Sequence, residues 1–335
     1  MKTQTAWNPN ELSLRSRNLL RLRLPGFSGA SRLNVPFHVL IGEARKPRAL
    51  LVAGVHGDEY ESVAALQQLA SEVDPSRLHG AVVIVPVANP LAFHAGTRRT
   101  PADLGDLNRA FPGNPEGTLS ERLADWLFQN FVLGSDAVLS MHCWSKEATV
   151  IPYVEYPIAK TPVAKKSASL ARALGLGFLH PYEWPAGLLV ASAVQHGIPA
   201  VETEVGGMGT VTPEGQQSYR SIVYRFLQGM RLLAPRADET ESPHRSPKIV
   251  GHSDCRADHP GLFRSRCRAG GAVERGDLLG TVHDLSGECL HEVRAPKNGV
   301  VGISRKFASV QPGDLLFQVF WPIGKTQRRR KQQVR

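Results

Sequence analysis

Short apolar runs alternate with helix-like segments between about residues 35 and 230, and this rhythm limits the possible folds more than any other feature of the chain. Such a chain buries its apolar runs as strands of a mostly parallel or mixed sheet and packs its helices on both faces. The strand candidates are 35–41, 49–53, 81–87, 137–141, 149–154 and 200–205. The helix candidates are 59–73, 118–133, 164–174 and 215–233, the second of which opens with Thr118 and Glu121 at capping-box spacing. The sequence therefore predicts an α/β fold in which helices flank a mixed sheet.

The composition changes after Leu233, where the segment 234–247 has almost nothing to bury. Beyond it, turn residues alternate with apolar pairs, and a Gly-Asp-Leu-Leu turn occurs at 276 and again at 313. This pattern predicts a smaller all-β domain resembling the barrel-sandwich fold of lipoyl and biotinyl carriers, although Lys297 lacks the usual carrier neighbours. The predicted organisation is a catalytic α/β domain at 1–235, a linker or surface loop at 236–247, a β-rich domain at 248–324 and a basic tail at 325–335.

The net charge of +10 is concentrated at the end of the chain, because six of these charges lie in the last eleven residues and leave +4 for the rest. A basic tail of this kind is more often solvated than bound to nucleic acid, so we do not expect a nucleic-acid partner. No stretch is long and apolar enough for a membrane helix, and the first residues lack the apolar centre of a signal peptide. The four cysteines show no CxxC pairing. We therefore expect a cytoplasmic protein with reduced thiols and no membrane partner.

His56 and Glu59 follow the apolar run 49–53, at the point where a predicted strand ends and a helix begins. Two histidines and one glutamate form a common catalytic zinc site that leaves one coordination position open. The pair alone is ambiguous, because an acidic residue is also favourable at a helix start. A third ligand should come from the end of another strand, and His142 follows the run 138–141. The three residues together predict a metal site.

A general base is expected close to the metal, and Glu202 and Glu204 lie two residues apart in the apolar strand candidate 200–205. A period of two places both side chains on one face of a strand. Charged groups in an apolar strand are costly unless they are paired or bound, which favours a functional role. The alternative is that both point to solvent from an edge strand.

The loop at 96–113 is rich in Arg, Asn and Asp and suits an anionic substrate, because a guanidinium binds a carboxylate through two parallel hydrogen bonds. Any one of its arginines taken singly is more often solvated. A dianionic substrate requires additional cations, for which Arg98 and Lys146 are candidates.

Four segments together resemble the succinylglutamate desuccinylase and aspartoacylase family, a branch of the zinc carboxypeptidase clan. In chain order they are Gly54-Val-His56-Gly-Asp-Glu59, Asp106-Leu-Asn108-Arg109-Ala-Phe-Pro-Gly, Ser140-Met-His142 and Thr203-Glu204-Val-Gly-Gly. The resemblance spans roughly residues 35–325, including the β-rich C-terminal part. It implies a zinc carboxypeptidase-like sheet, with a layout closest to deacylases of N-acyl diamino acids.

The resemblance also implies a role for each site residue. It implies one zinc ion per chain held by His56, Glu59 and His142, with Glu204 as general base, Asn108 and Arg109 on the substrate carboxylate, and Arg99 polarising the scissile carbonyl. Spacing leaves Arg98 as an alternative to Arg99, and Glu202 is the rejected base.

The function that follows is a zinc-dependent amide hydrolase that removes a small acyl group, of the acetyl or succinyl type, from a small-molecule N-acyl amino acid or related amine. A homo-oligomer is compatible with this function. One alternative is a zinc carboxypeptidase acting on peptides, which a comparison of N-acyl amino acids with dipeptides separates. A second is a non-catalytic binding protein, which predicts no stoichiometric zinc.

Overall fold

A computed structural model describes residues 3–4, 7–24, 33–236 and 246–323. The predicted basic tail at 325–335 and residues 237–245 of the predicted linker lie outside the described residues. Within the described part, no helix is long and apolar enough to cross a membrane. All four cysteines are free, as predicted.

The chain contains strands throughout and helices only in its first two thirds, as far as the described ranges show. The strands are β1 (Thr3–Gln4), β2 (Ser16–Arg23), β3 (Asn34–Ile41), β4 (Arg48–Val52), β5 (Ala81–Val85), β6 (Ala137–His142), β7 (Ala148–Pro157), β8 (Phe178–Tyr182), β9 (Ala200–Gly207), β10 (Lys248–Arg256), β11 (Gly261–Ser265), β12 (Ala272–Val273), β13 (Leu278–His283), β14 (Cys289–Arg294), β15 (Gly299–Arg305), β16 (Ser309–Val310) and β17 (Leu315–Pro322). The helices are α1 (Tyr60–Glu72), α2 (Pro90–Ala95), α3 (Leu119–Leu127), α4 (Pro162–Ala173), α5 (Leu189–Gln195) and α6 (Pro213–Gly229).

All six predicted strands and all four predicted helices are confirmed, with ends that differ by a few residues. The capping box of α3 is also confirmed, because the Thr118 side chain accepts from the Glu121 amide and the Glu121 carboxylate accepts from the Thr118 amide. A π-helical turn, Phe128–Val132, continues α3 to the end of the predicted segment. The mixed sheet flanked by helices is therefore the observed fold class.

The principal sheet has the strand order β1-β2-β3-β5-β4-β6-β9-β7-β8-β10-β17-β15-β12 among the described residues. Its centre, β5-β4-β6-β9, is parallel, and β7 runs antiparallel to β9. One face packs against α1, α4 and α6, and the other packs against α3 and α5. Alternate residues of β4 divide between the two cores, with Leu51 in the first and Leu50 in the second, so the central strands are apolar on both faces.

The same sheet continues beyond residue 247, because β10 pairs with β8 and β15 pairs with β7. The order β7-β8-β10-β17-β15 returns to β7 and closes a ring of five strands. Val150, Tyr153, Val250, Ile303 and Phe320 belong to a small core that these strands share. The strands β14-β13-β11-β16 form a separate four-stranded sheet. The domain boundary at 235–248 remains a prediction, but hydrogen bonds of the principal sheet cross it.

Parallel strands bring their carboxyl ends to one edge of a sheet, and here the ends of β4, β6 and β9 meet. The turn after β4 requires glycine twice. Gly54 has a φ of +60°, and a Cβ on Gly57 would lie 1.9 Å from the carbonyl carbon of Ala92. These glycines let the turn carrying His56 and Glu59 lie close against α2.

Candidate metal centre and active site

His56, Glu59 and His142 come together at the carboxyl ends of β4 and β6. Glu59 Oε1 lies 2.6 Å from His56 Nδ1, and Glu59 Oε2 lies 2.9 Å from His142 Nδ1. All three side chains are buried, and their candidate ligand atoms lie within 4.8 Å of one another. Within the described ranges, no other group of three His, Cys, Asp or Glu side chains meets the same criterion. The structure thus assembles the three residues predicted as ligands.

The other nitrogen of each imidazole points outward to an oxygen atom. His56 Nε2 lies 3.2 Å from Asp106 Oδ1, and His142 Nε2 lies 2.9 Å from Ser140 Oγ. When each Nε2–H donates to its oxygen, each Nδ1 turns a lone pair toward the Glu59 carboxylate. Lone pairs this close to a carboxylate are unfavourable unless a proton or a metal ion lies between them, and the three side chains provide a two-His, one-Glu ligand set for such an ion.

The charges around Glu59 also favour a cation at this point. Burial alone would raise the pKa of Glu59, but His56 and His142 outweigh burial and lower this pKa well below its usual range. Burial would lower the pKa of His142, whereas Glu202 and Glu59 raise it to about 10. The protein alone therefore holds the positive charge of His142 beside Glu59, at a place where a divalent ion would supply positive charge instead.

Asp106 and Ser140 had no assigned role in the sequence analysis, although both stand in the quoted motifs. Ser140 precedes His142 by two residues, so a period of two places both on one face of β6. Asp106 lies in a loop without periodicity, and no local pattern indicates its contact with His56. Burial would raise the pKa of Asp106, but the His56 hydrogen bond and the Arg98 charge lower it well below its usual range. Asp106 thus stays an anionic acceptor for His56.

Glu202 and Glu204 lie on the site face of β9, and β9 is an interior strand, so the alternative of an edge strand facing solvent is wrong. In the sheet register, Glu204 lies opposite His142 and Glu202 opposite Ser140. Glu204 Oε2 is buried without a hydrogen-bond partner within the described part of the chain. Burial, and then the negative charge of Glu59, raise the pKa of Glu204 well above its usual range. A carboxylate in this state is suited to accept and return a proton.

The structure places Arg98 at the cluster and Arg99 away from it, so the geometry favours Arg98 where the sequence analysis preferred Arg99. Arg98 Nε and Nη2 donate to Asp106 Oδ2 at 3.2 and 3.1 Å, and Arg98 Nη1 lies 3.8 Å from Glu59 Oε1. Arg99 is exposed and donates to the carbonyl oxygen of Leu104 at 3.1 Å. Spacing along an irregular loop does not reveal which of two adjacent side chains points inward.

Asn108 and Arg109 lie on a short helical turn beside the cluster, and they differ in exposure. Asn108 is buried, its Oδ1 accepts from the Leu189 amide at 3.0 Å, and its Nδ2 donates to Glu202 Oε2 at 3.4 Å. Arg109 is exposed, and its Nη1 donates to the Asn108 carbonyl oxygen at 2.7 Å. Lys146, the other candidate cation, is also exposed. Arg109 is therefore the guanidinium open to a substrate at this side of the site.

Comparison with known proteins agrees with this geometry. Residues 45–230 match the sequence profile of the succinylglutamate desuccinylase/aspartoacylase catalytic domain. The chain belongs to this family. As a member, it is an amide hydrolase of the deacylase type. The match covers the stretch from the start of β4 to the end of α6, which includes every proposed ligand and the proposed base.

Similar proteins come from several bacteria. The N-alpha-acetyl-L-2,4-diaminobutyric acid deacetylase of Halomonas elongata is 34% identical over 277 residues, which is 81% of each chain. The product-bound ectoine utilization protein of Ruegeria pomeroyi aligns with a TM-score of 0.83 and 27% identity, covering 91% of this chain and 95% of that one. A family member from Rhodobacter sphaeroides aligns with a TM-score of 0.82 and 26% identity, covering 92% and 96%. The alignments therefore extend well beyond the catalytic region of this deacylase.

Proposed function

We propose that this deacylase removes a small acyl group, acetyl in the first instance, from an N-acyl amino acid in a zinc-dependent reaction. The observation that carries the proposal is the cluster of His56, Glu59 and His142 beside the unpartnered buried oxygen of Glu204. The acetyl group is supported by the Halomonas elongata relative, whose name states that it acts on an acetylated amino acid.

Zinc would be held by His56, Glu59 and His142, and it would supply a Lewis acid that makes water nucleophilic near neutral pH and polarises the acyl carbonyl. Glu204 would accept the water proton at its carboxylate and deliver that proton to the departing amine. The products are a carboxylate and a free amine. No hydrogen bond with described residues has to break before this Glu204 oxygen accepts a proton.

Two arginines would interact with the two negatively charged groups, the developing oxyanion and the substrate carboxylate. Arg98, whose Nη1 faces the cluster, would stabilise the negative charge that develops on the acyl oxygen. Arg109 would bind the carboxylate of the amino acid, because its side chain is exposed on the same turn as Asn108. Asn108 would hold the intervening turn in place through its bond to the Leu189 amide.

We further propose that the sheet is of the zinc carboxypeptidase type and that the C-terminal strands form a barrel-sandwich-like unit against it. The carrier alternative for that unit is not supported by Lys297, because its ammonium lies 3.5 Å from the centre of the Trp321 ring. A cytoplasmic location and a homo-oligomer remain predictions.

The test is a substrate screen with zinc-loaded protein and its Glu204→Gln variant. Acetyl, formyl and succinyl derivatives of several amino acids are compared with C-terminal dipeptides, and free amine is measured. The proposal expects turnover of at least one acyl amino acid that the variant lacks. Turnover of dipeptides alone would favour the carboxypeptidase, and no turnover together with no stoichiometric zinc would favour a binding protein.

A further inference from the structure

One buried carboxylate at the site, Glu202, has no part in the chemistry proposed above. It is 8% exposed and lies one pleat deeper than Glu204 on the same face of β9. Its two hydrogen-bonding neighbours in the described chain are His142 Nε2 and Asn108 Nδ2, each 3.4 Å from Oε2. Both distances exceed the normal range of about 2.7–3.2 Å. A buried carboxyl group this weakly paired is costly in its charged form unless a cation reaches it.

Holding His142 is not a sufficient role for Glu202. The closer partner of His142 Nε2 is Ser140 Oγ at 2.9 Å, which already fixes the orientation of the ring. Asn108 likewise has a shorter bond elsewhere, from the Leu189 amide to its Oδ1. Glu202 is thus a secondary partner of both residues, and its carboxylate retains capacity to accept hydrogen bonds.

The neighbouring strand adds a second carboxylate rather than a cation. Glu155 on β7 lies opposite Glu202 in the register, so the two side chains share one row of the sheet. Glu155 is itself well paired, because His180 Nδ1 lies 2.9 Å from its Oε1 and Trp184 Nε1 donates to Oε2 at 3.4 Å. Its charge still adds to the negative potential at Glu202, whose pKa is raised by burial first and further by Glu155.

The nearby cation is Arg109, which follows Asn108 on the same turn and donates to the Asn108 carbonyl oxygen, while the Asn108 side chain reaches Glu202. The turn that contacts Glu202 therefore also carries a guanidinium, so the site offers a guanidinium and a separate carboxylate. An amino acid with a second amine carries the complementary pair, a carboxylate and an ammonium.

We propose that Glu202 is a specificity-determining residue that receives the side-chain ammonium of an N-acylated diamino acid while Arg109 holds its carboxylate. This inference rests on the proposed function and adds the substrate class to it. A dianionic amide would place a second carboxylate against Glu202 and Glu155 and would be disfavoured. The name of the Halomonas elongata relative agrees, since its substrate has a free amine at position 4.

The experiment compares two substrates that differ in one group. Nα-acetyl-2,4-diaminobutyrate carries the ammonium, and Nα-acetyl-2-aminopentanoate has a methyl group in its place. The measured quantity is the ratio of their kcat/KM values, which cancels a general loss of catalytic power. A hydrogen bond between charged groups predicts that the wild type prefers the cationic substrate and that Glu202→Gln lowers the ratio about 10-fold to 100-fold. Glu214→Gln, at an exposed position of α6, is the matched control and should leave the ratio unchanged.

Zinc content and the kcat/KM ratio together distinguish the possible outcomes. The zinc content of each variant is measured, and an equal fall with both substrates accompanied by zinc loss would make Glu202 a support for His142 and overturn the inference. An unchanged ratio, or a wild type with no preference for the cationic substrate, would also overturn it. If Glu202→Gln does not fold, Glu202→Asp replaces it and should lower the ratio less, because the charge remains but is withdrawn by one methylene.

Product binding separates this inference from the proposed function. Calorimetry compares 2,4-diaminobutyrate with 2-aminopentanoate, and tighter binding of the diamino acid by the wild type but not by Glu202→Gln supports the role of Glu202 even if no amide is hydrolysed. Equal binding of both compounds by the wild type, with hydrolysis intact, would refute the specificity role and leave the deacylase proposal standing.

Discussion

Replacing Arg98 by alanine tests the assignment that separates this structure from the sequence-based expectation. The guanidinium contributes two hydrogen bonds to Asp106 and presents Nη1 to the cluster, 3.8 Å from Glu59 Oε1. The side chain is 39% exposed, so its pairing with Asp106 is expected to contribute about 1 kcal/mol or less to stability. Losing one preorganised donor to a developing oxyanion costs about 100-fold to 1,000-fold in rate, equivalent to roughly 3–4 kcal/mol. The loss of activity should therefore far exceed the loss of stability.

The assay measures kcat/KM for an N-acetyl amino acid with zinc-loaded protein, together with zinc content and the thermal unfolding midpoint. Arg99→Ala is the matched control, because Arg99 is exposed and donates its hydrogen bond to the Leu104 carbonyl, away from the cluster. We expect Arg99→Ala to remain within about 0.5 kcal/mol of the wild type in both stability and activation free energy. Wild-type turnover by Arg98→Ala, or an equal loss in Arg99→Ala, would refute the assignment. Loss of zinc from Arg98→Ala would make its role structural.

Three other substitutions probe the site and its support. Glu204→Gln should lower kcat by about 100-fold to 10,000-fold while zinc stays bound, and metal analysis beside the rate measurement checks both parts. Asp106→Asn should weaken zinc binding by about 10-fold to 100-fold, because it weakens the acceptor that orients His56; competition with a chelator measures this, and unchanged affinity would contradict it. Asp103 accepts from the Ser120 amide at 2.6 Å, and although burial would raise its pKa, this and other hydrogen bonds lower it. A lowered pKa stabilises the fold above the unfolded-state value of about 3.9 and stops doing so as pH falls through the folded-state pKa. Asp103→Asn should therefore cost about 1 kcal/mol in urea unfolding at pH 7 and less at pH 3, and an equal cost at both pH values would count against this linkage.

The elements predicted from the sequence are those whose hydrophobic pattern is long enough to recognise and lies within one segment of the chain. The runs 49–53 and 137–139 are apolar because both faces of these strands are covered, and α1 and α6 are long enough to show a helical period. The shorter α2 and α5, of six and seven residues, were not predicted, because two turns do not establish a period. β2 and β8 were not predicted either, since polar residues interrupt their apolar pattern.

In the site, too, residues within short motifs were predicted, whereas contacts between distant segments were not. The candidate ligands stand in short motifs at strand ends, so His56, Glu59 and His142 are placed together where the parallel strands end. The orientation of Arg98 depends on Asp106, eight residues away in an irregular loop. The neighbours of Glu202 come from β6, β7 and the Asn108 turn, and no single stretch of sequence contains them.

The five-stranded ring has a consequence for any attempt to shorten the chain. Cutting after residue 235 would remove β10 and β15 and leave unpaired backbone groups along β8 and the first half of β7. The exposed edge would include residues 148–150, and Val150 and Ile303 would lose each other as neighbours in the small shared core. Because β7 also carries Glu155, fraying of its free edge would reach the row of side chains that contains Glu155 and Glu202. A chain shortened in this way is therefore expected to aggregate. A mutation that destabilises β15 is expected to lower activity although it lies outside the active site.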